Sequence, residues 1–323
     1  MLPLDKLDYQ TRQKLFGDAE AAREFIEAIR WNGEPYCPHC GNIGAYKLEP
    51  KPGSKRPVRP GVYKCAACRK QFTVTVGTIF ESSRVPLNKW LYAIHLMCSS
   101  KKGVSAKQLE RDLEVQYKTA WFLCHRIRKA MEKEPLRSKL DGVVEADETY
   151  VGGKLRKGGP RPQGPLSGGK KMVVYTLVSR DGEARSQLVD DAKAETLQTV
   201  MRNEVEGEAH IMTDGAHAYW GTDAYFRSHE TVDHTRGEYV RGIVHTNFAE
   251  SYFSLLKRGI LGIFHHVSRK HIQRYLEEFD FRWNTRDDSD PERMVKAIRQ
   301  AEGKRLYYRT PKEERAWAPR FAD

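Results

Sequence analysis

Two sets of side chains in this sequence have the types and spacing to hold metal ions. The first is Cys37-Pro38-His39-Cys40, followed after 24 residues by Cys65-Ala66-Ala67-Cys68. A tight turn brings the sulfurs of residues i and i+3 together, so two C-x-x-C turns present four thiolates to one ion. Four thiolates complete a zinc tetrahedron and leave no open position, which makes the expected Zn²⁺ site structural. Gly41 suits a knuckle turn after the first pair, and His39 is expected to be part of that turn rather than a fifth ligand. Disulfides or buried free thiols are the bland alternative, disfavoured by a composition that reads as intracellular. Cys98 and Cys124 stand alone in apolar helical runs and are expected in the core.

The second set is acidic. Val143–Val151 reads as a strand with Asp147 in its interior, and Ala209–Gly215 as a strand ending in Asp214. Glu250 sits in a helical stretch after Val244-His245-Thr246-Asn247. Sixty-six residues separate Asp147 from Asp214, and 35 separate Asp214 from Glu250. A carboxylate inside a strand needs a reason, because burying it unpaired is costly. Capping and ion pairing are the ordinary reasons. The sharper one is that three carboxylates from two strands and a helix hold two divalent cations. Mg²⁺ prefers oxygen ligands and keeps several waters, so a few carboxylates suffice. Two such ions activate a water or hydroxyl and stabilise the leaving oxygen in phosphodiester displacement.

The elements that must position these groups follow from periodicity. Residues 18–30 read as an amphipathic helix capped by Asp18, with Ala22, Phe25, Ile26 and Ile29 on one face. Phe72–Val76 is strand-like. From Pro86 to about Met131 the pattern is helical, broken at Lys102–Ser105. Within it, Ser105–Leu113, a short turn at 114–116 and a second helix from Tyr117 match a helix-turn-helix. There Lys118 and Thr119 could approach base edges, and Arg126, Arg128 and Lys129 could meet phosphates. A plain packing module is the alternative. Gly152–Lys171, with seven Gly and three Pro, reads as a mobile basic loop. Met172–Ser179 and Ser186–Val189 look like strands; Ala192–Val205, 247–258 and 268–284 look helical. The tail after Asp287 carries no clear signal.

The charge points to a partner. The formal net charge is +12, and all of the excess lies in residues 1–140, which hold 26 Lys and Arg against 14 Asp and Glu. Lys51, Lys55, Arg56, Arg59, Lys64, Arg69 and Lys70 surround the cysteine cluster. A basic module joined to a neutral one is the pattern of an electrostatic docking domain beside a domain with another task. The apolar stretch near Trp90–Cys98 is too short for a membrane span, and the first residues lack a signal-peptide layout.

These motifs together resemble the transposases of bacterial insertion sequences in the DDE superfamily, in the group with an N-terminal zinc ribbon and a ribonuclease H-like catalytic domain. The matching stretches are Glu145–Lys154, Thr213-Asp214-Gly215, His245–Glu250, Leu256-Lys257-Arg258-Gly259, His265–Ser268 and Glu278–Arg286. The resemblance implies a multidomain α+β and α/β chain. Its parts would be an N-terminal helical segment (1–32), a zinc ribbon (33–80) and a helix-turn-helix module (86–135). A mixed β-sheet flanked by helices (140–286) and a C-terminal tail (287–323) would follow. It implies Asp147 and Asp214 as the first two ligands of Mg²⁺ or Mn²⁺. Members carry either Asn or Glu in the third place, and both Asn247 and Glu250 are present; Glu250 is favoured for its charge and spacing. Lys257, two turns along the same face, would hold a DNA phosphate. His245 could support a ligand or merely cap a helix.

The function so implied is Mg²⁺-dependent cleavage of double-stranded DNA at the 3′ ends of the element, with strand transfer by transesterification into target DNA. Terminal inverted repeats would be the bound sequence, a homodimer or larger complex the acting form, and the cytoplasm, at the nucleoid, its location. No membrane partner is expected. A catalytically inactive zinc-ribbon DNA-binding regulator and a ribonuclease H-type nuclease are the alternatives.

Overall fold

The computed structural model describes residues 7–49, 53, 55, 57–133, 138–152, 171–233, 236–238 and 240–308. Most of the expected basic loop, residues 153–170, lies outside the described residues, as does the tail from 309. The chain forms two compact units. One gathers the described residues up to Ser99, Ala106–Met131 and those from Ser289; the other holds Ser100–Ser105 and Glu132–Asp288.

In the first unit, helices α1 (Tyr9–Gly17) and α2 (Ala19–Trp31) precede a small antiparallel sheet of β1 (Ala45–Lys47), β2 (Tyr63–Cys65) and β3 (Gln71–Phe72). Asp18 caps α2 as expected, accepting the Glu20 N–H at 2.9 Å. Trp31 packs edge-on against Tyr63 and Phe72 of the sheet, at 4.9 and 6.0 Å between ring centres. The strand expected over Phe72–Val76 stops at Phe72. The backbone beyond it turns away, because Arg30 donates to the carbonyls of Val74 at 2.7 Å and Val76 at 2.9 Å. Three further helices follow: α3 (Leu87–Ser99), α4 (Ala106–Leu113) and α5 (Tyr117–Met131). Cys98 and Cys124 are buried among them.

The unsignalled tail begins with a helix, Asp290–Arg299, which belongs to this first unit. Ser289 and Glu292 form a reciprocal capping box with Pro291 in the first turn, a start signal readable in the sequence. Its buried face of Met294, Val295, Ala297 and Ile298 packs on α2 and α3.

The second unit is built on a five-stranded sheet. Its strands are β4 (Val143–Val151), β5 (Met172–Ser179), β6 (Ala184–Val189), β7 (His210–Asp214) and β8 (Ser228–Val232), in the order β6-β5-β4-β7-β8. β4, β5 and β6 form an antiparallel meander, whereas β7 and β8 add in parallel. This is the mixed ribonuclease H-like sheet that the resemblance implies. Helix α6 (Ala194–Glu204) covers one face, packing Leu197 and Met201 on Val144, Ala146, Tyr175 and Leu177. Helices α7 (Asn247–Gly259) and α8 (Ile272–Asn284) cover the other, packing Tyr252, Leu256, Ile272 and Phe279 on Val151, Val174 and Val178. Alternation along β4 therefore sends residues 145, 147, 149 and 151 towards α7 and α8, and 144, 146 and 148 towards α6.

A buried polar knot ties that second layer together. Asp280 of α8 accepts from the Ser186 N–H at 2.9 Å, the Ser186 hydroxyl at 2.6 Å and the Tyr252 hydroxyl at 2.6 Å. Burial pushes the Asp280 carboxyl up to about 7, against these three donors.

Candidate functional site

The four cysteines converge. Cys37, Cys40, Cys65 and Cys68 place their sulfurs within 4.8 Å of one another, with Cys37 and Cys68 at 3.6 Å and Cys40 and Cys65 at 3.7 Å. A zinc tetrahedron with arms of about 2.3 Å has sulfur–sulfur edges of about 3.8 Å, whereas a disulfide would close to about 2.05 Å. The spacing fits a four-thiolate zinc site. Backbone N–H groups of Cys68 and then Ala67 lower the Cys65 thiol towards the thiolate that a metal needs, whereas burial and the neighbouring thiols raise Cys68. His39 is exposed and stands outside the group.

The acidic set is assembled by strand register. β4 and β7 pair in parallel as Val143↔His210, Val144↔Ile211 and Glu145↔Met212. The pairing ends at Glu145 and Met212; continued for two residues, the same register would bring Asp147 level with Asp214 on the face covered by α7, and the charge of Asp214 does act on Asp147. Burial, then the charges of Asp214 and Glu148, raise the Asp147 carboxyl to about 8, and the charge of Glu250 adds to the effect. The N–H of Glu148, donating to Asp147 Oδ1 at 2.7 Å, opposes it. The charges acting most strongly on Asp147 are thus all negative, the condition that a divalent cation relieves. The cluster is more open than the cysteine site: among the described residues only the four sulfurs form a group of three or more ligands all within 4.8 Å. Mg²⁺, which keeps several waters, tolerates that openness.

Asn247 opens α7 and Glu250 follows in its first turn; both are exposed, three residues apart on one helix face. Lys257 lies in the last turn of α7, exposed, with Nζ 5.9 Å from the Phe253 ring centre. On the opposite face of β4, Glu148 accepts from the Tyr219 hydroxyl at 2.5 Å. Burial also raises the Glu148 carboxyl.

One residue escaped the sequence reading. Glu145, fully buried two positions before Asp147, accepts the N–H groups of Phe248 at 2.8 Å and Ala249 at 3.2 Å. Its other oxygen lies 3.0 Å from His245 Nδ1 and 3.2 Å from Arg180 Nε. His245 therefore meets Glu145 rather than capping its own helix. The signal was its period: residues i and i−2 of a strand share a face, so a second carboxylate pointed where Asp147 points.

The residues of the first unit expected at DNA divide. Lys118 is exposed and Thr119 half-buried in the first turn of α5. With Arg84, Phe122, Arg126 and Tyr308 they line a cleft of about 310 Å³. Arg126 and Arg128, expected to meet phosphates, are instead buried, 5% and 2% exposed. Arg126 donates to the Glu81 carbonyl at 2.6 Å and lies over the rings of Trp90 and Phe122, at 5.2 and 5.6 Å. Burial lowers its pKa to about 10. The helical pattern placed both on the inner face of α5, where a long side chain lays its stem on apolar neighbours.

Known proteins match both regions. The ISXO2-like transposase domain family matches residues 139–284, and the transposase zinc-ribbon domain family matches residues 17–71. An uncharacterized protein in transposable element ISH50 of Halobacterium salinarum is 32% identical over 284 residues, spanning 83% of this chain and 92% of its own. The chain belongs to the ISXO2-like transposases. It is thus a transposase whose zinc-ribbon region holds the four cysteines and whose transposase domain spans Asp147, Asp214 and Glu250. Among solved structures, the Mos1 strand transfer complex is 13% identical with a TM-score of 0.28, covering 68% of this chain and 79% of that one. A pre-cleavage Mos1 transpososome is 13% identical with a TM-score of 0.25, covering 93% and 98%. No helix of the described residues is long and apolar enough to cross a membrane.

Proposed function

We propose that this transposase binds the terminal inverted repeats of its element and cleaves the 3′ ends, then joins them to target DNA by transesterification. The observation that carries the reading is that the charges of Asp214, from the neighbouring strand β7, and of Glu250, from α7, are both felt at Asp147 of β4. Asp147, Asp214 and Glu250 are the proposed ligands of two Mg²⁺ or Mn²⁺ ions, with Asn247 as a further oxygen donor on the same helix face. Such ions, when bound, lower the pKa of a water or hydroxyl and neutralise charge on the leaving oxygen. The side chains hold the strand: Lys257 takes a phosphate further along α7, and no Ser or Tyr nucleophile is needed because no covalent protein–DNA intermediate forms.

The ribbon, with Zn²⁺ at its four cysteines, and the α4–α5 pair are the proposed DNA-docking parts. Lys118 and Thr119 face base edges, and the cleft they line with Arg84 accepts a backbone phosphate. Two element ends are processed together, so a homodimer or larger complex is the acting form.

The test uses the full chain, duplexes carrying the element ends, and Mg²⁺. Wild type should yield nicks with a free 3′-hydroxyl and joined products; Asp147→Asn, Asp214→Asn and Glu250→Gln should yield neither. Activity retained by Asp147→Asn, or preference for RNA–DNA hybrids over duplex, would overturn the reading.

A further inference from the structure

We infer that Glu145 is the positioning residue that sets the metal-binding geometry, by locking the helix bearing Glu250 to the strand bearing Asp147. The inference rests on the metal reading above and extends it to a residue without a role in that chemistry.

Helix α7 needs an outside cap. Its N-cap residue, Thr246, makes no side-chain capping bond, and the first N–H groups of any helix lack internal partners. Glu145 supplies the missing acceptor from 103 residues upstream, with one oxygen shared between the N–H groups of Phe248 and Ala249. Those residues stand between Asn247 and Glu250 in the first turn. The carboxylate thus grips the very turn that must aim Glu250, while its own backbone lies two residues from Asp147.

The grip is braced from a third side. Arg180, just after β5, reaches Glu145 with Nε at 3.2 Å, and its Nη2 lies 3.3 Å from His245 Nδ1 and 3.4 Å from the His245 carbonyl oxygen. His245 Nδ1 lies 3.0 Å from the same Glu145 oxygen. A fully buried carboxylate is retained only when its oxygens are satisfied. Here both are, by groups from β4's neighbour and from the approach to α7. A cap supplied by a local Ser or Asp would serve the helix equally well, but it would not tie the helix to β4. What the remote glutamate adds is a fixed offset between the two elements carrying ligands. Groups that hold metal ligands in place alter affinity about 10–100-fold when removed.

The experiment compares full-length wild type, Glu145→Gln and Glu145→Asp. Mn²⁺ affinity is read by electron paramagnetic resonance, and amide exchange at Phe248 and Ala249 against α8 amides as internal reference. Gln removes the charge; Asp keeps it but falls one methylene short of α7, and it stands in should the Gln variant fail to fold. In both, Mn²⁺ should bind about 10–100-fold more weakly. Phe248 and Ala249 should exchange faster, with α8 unchanged. Faster exchange with Mn²⁺ affinity within twofold of wild type would overturn the inference, leaving Glu145 a plain cap. Unchanged exchange would overturn the cap itself. If wild type binds no Mn²⁺ while the amides respond, the metal reading has failed and the inference falls with it, distinguishably from the other two results.

Discussion

Replacing Asp147 by Asn should stabilise the metal-free chain while destroying its response to Mg²⁺. Burial and the neighbouring carboxylates lift the Asp147 carboxyl from 3.8 to about 8. Because the folded value lies above the unfolded one, the native state holds the extra proton, and stability falls as pH rises from about 4 towards 8. At pH 7 about three pH units of that window have been crossed. At about 1.4 kcal/mol each, they set a ceiling of about 4 kcal/mol. Relaxation and water around a half-buried group reduce this to roughly 2 kcal/mol. Asn has the same shape, still accepts the Glu148 N–H and carries no charge in either state, so it escapes the penalty. For the unit that carries Asp147, made of residues 100–105 and 132–288, about 2 kcal/mol corresponds to roughly 4–8 °C in Tm. The assay is differential scanning calorimetry of full-length wild type and Asp147→Asn in EDTA at pH 7 and pH 5. The variant should melt higher at pH 7, most of the gap should close at pH 5, and Mg²⁺ should raise wild type alone. A variant that melts lower at pH 7, or by the same margin at both pH values, would show that the carboxylate is already compensated without metal. The electrostatic reasoning would then be refuted.

Three further outcomes are expected. Purified protein should carry about one zinc per chain, and Cys65→Ser should release it and expose the 17–71 region to limited proteolysis; a metal-free ribbon that resists protease would contradict this. Duplex affinity should fall steeply with salt, and Lys118→Ala should lower the slope of log K against log salt by about one. Arg128→Gln, by contrast, should lower the urea midpoint and leave that slope alone. Gly259→Ala should cost about 1–3 kcal/mol in chemical denaturation, because a methyl there would stand 2.3 Å from Phe279 Cζ and 2.7 Å from the Lys102 carbonyl oxygen; a neutral substitution would mean that α7 and α8 shift freely.

Local signals were legible wherever the physics is local. Asp18 capping α2, the break before α4 and the C-x-x-C turns each depend on residues within a few positions of one another. The run Phe72–Val76 misled because β-branched residues favour strands, but Arg30, over forty positions away, pulls the Val74 and Val76 carbonyls out of the sheet. β8 carried too little apolar alternation to be read, since Ser228-His229-Glu230-Thr231-Val232 becomes a strand by pairing with β7. Charge could not separate Lys118, exposed in the first turn of α5, from Arg126 and Arg128, which the same helix turns inward.

The amino-acid sequence by itself determined the chemistry available to this transposase: four thiolates at turn spacing, two strand aspartates and a helix bearing Asn247, Glu250 and Lys257. Tertiary structure alone decided how those groups meet. It paired β4 with β7 in parallel, so that the charge of Asp214 is felt at Asp147, and it seated α7 on Glu145 from 103 positions away. Pairings of that range leave no periodic trace in the chain, because they arise where burial makes each N–H and carboxylate find a partner, wherever along the sequence that partner lies.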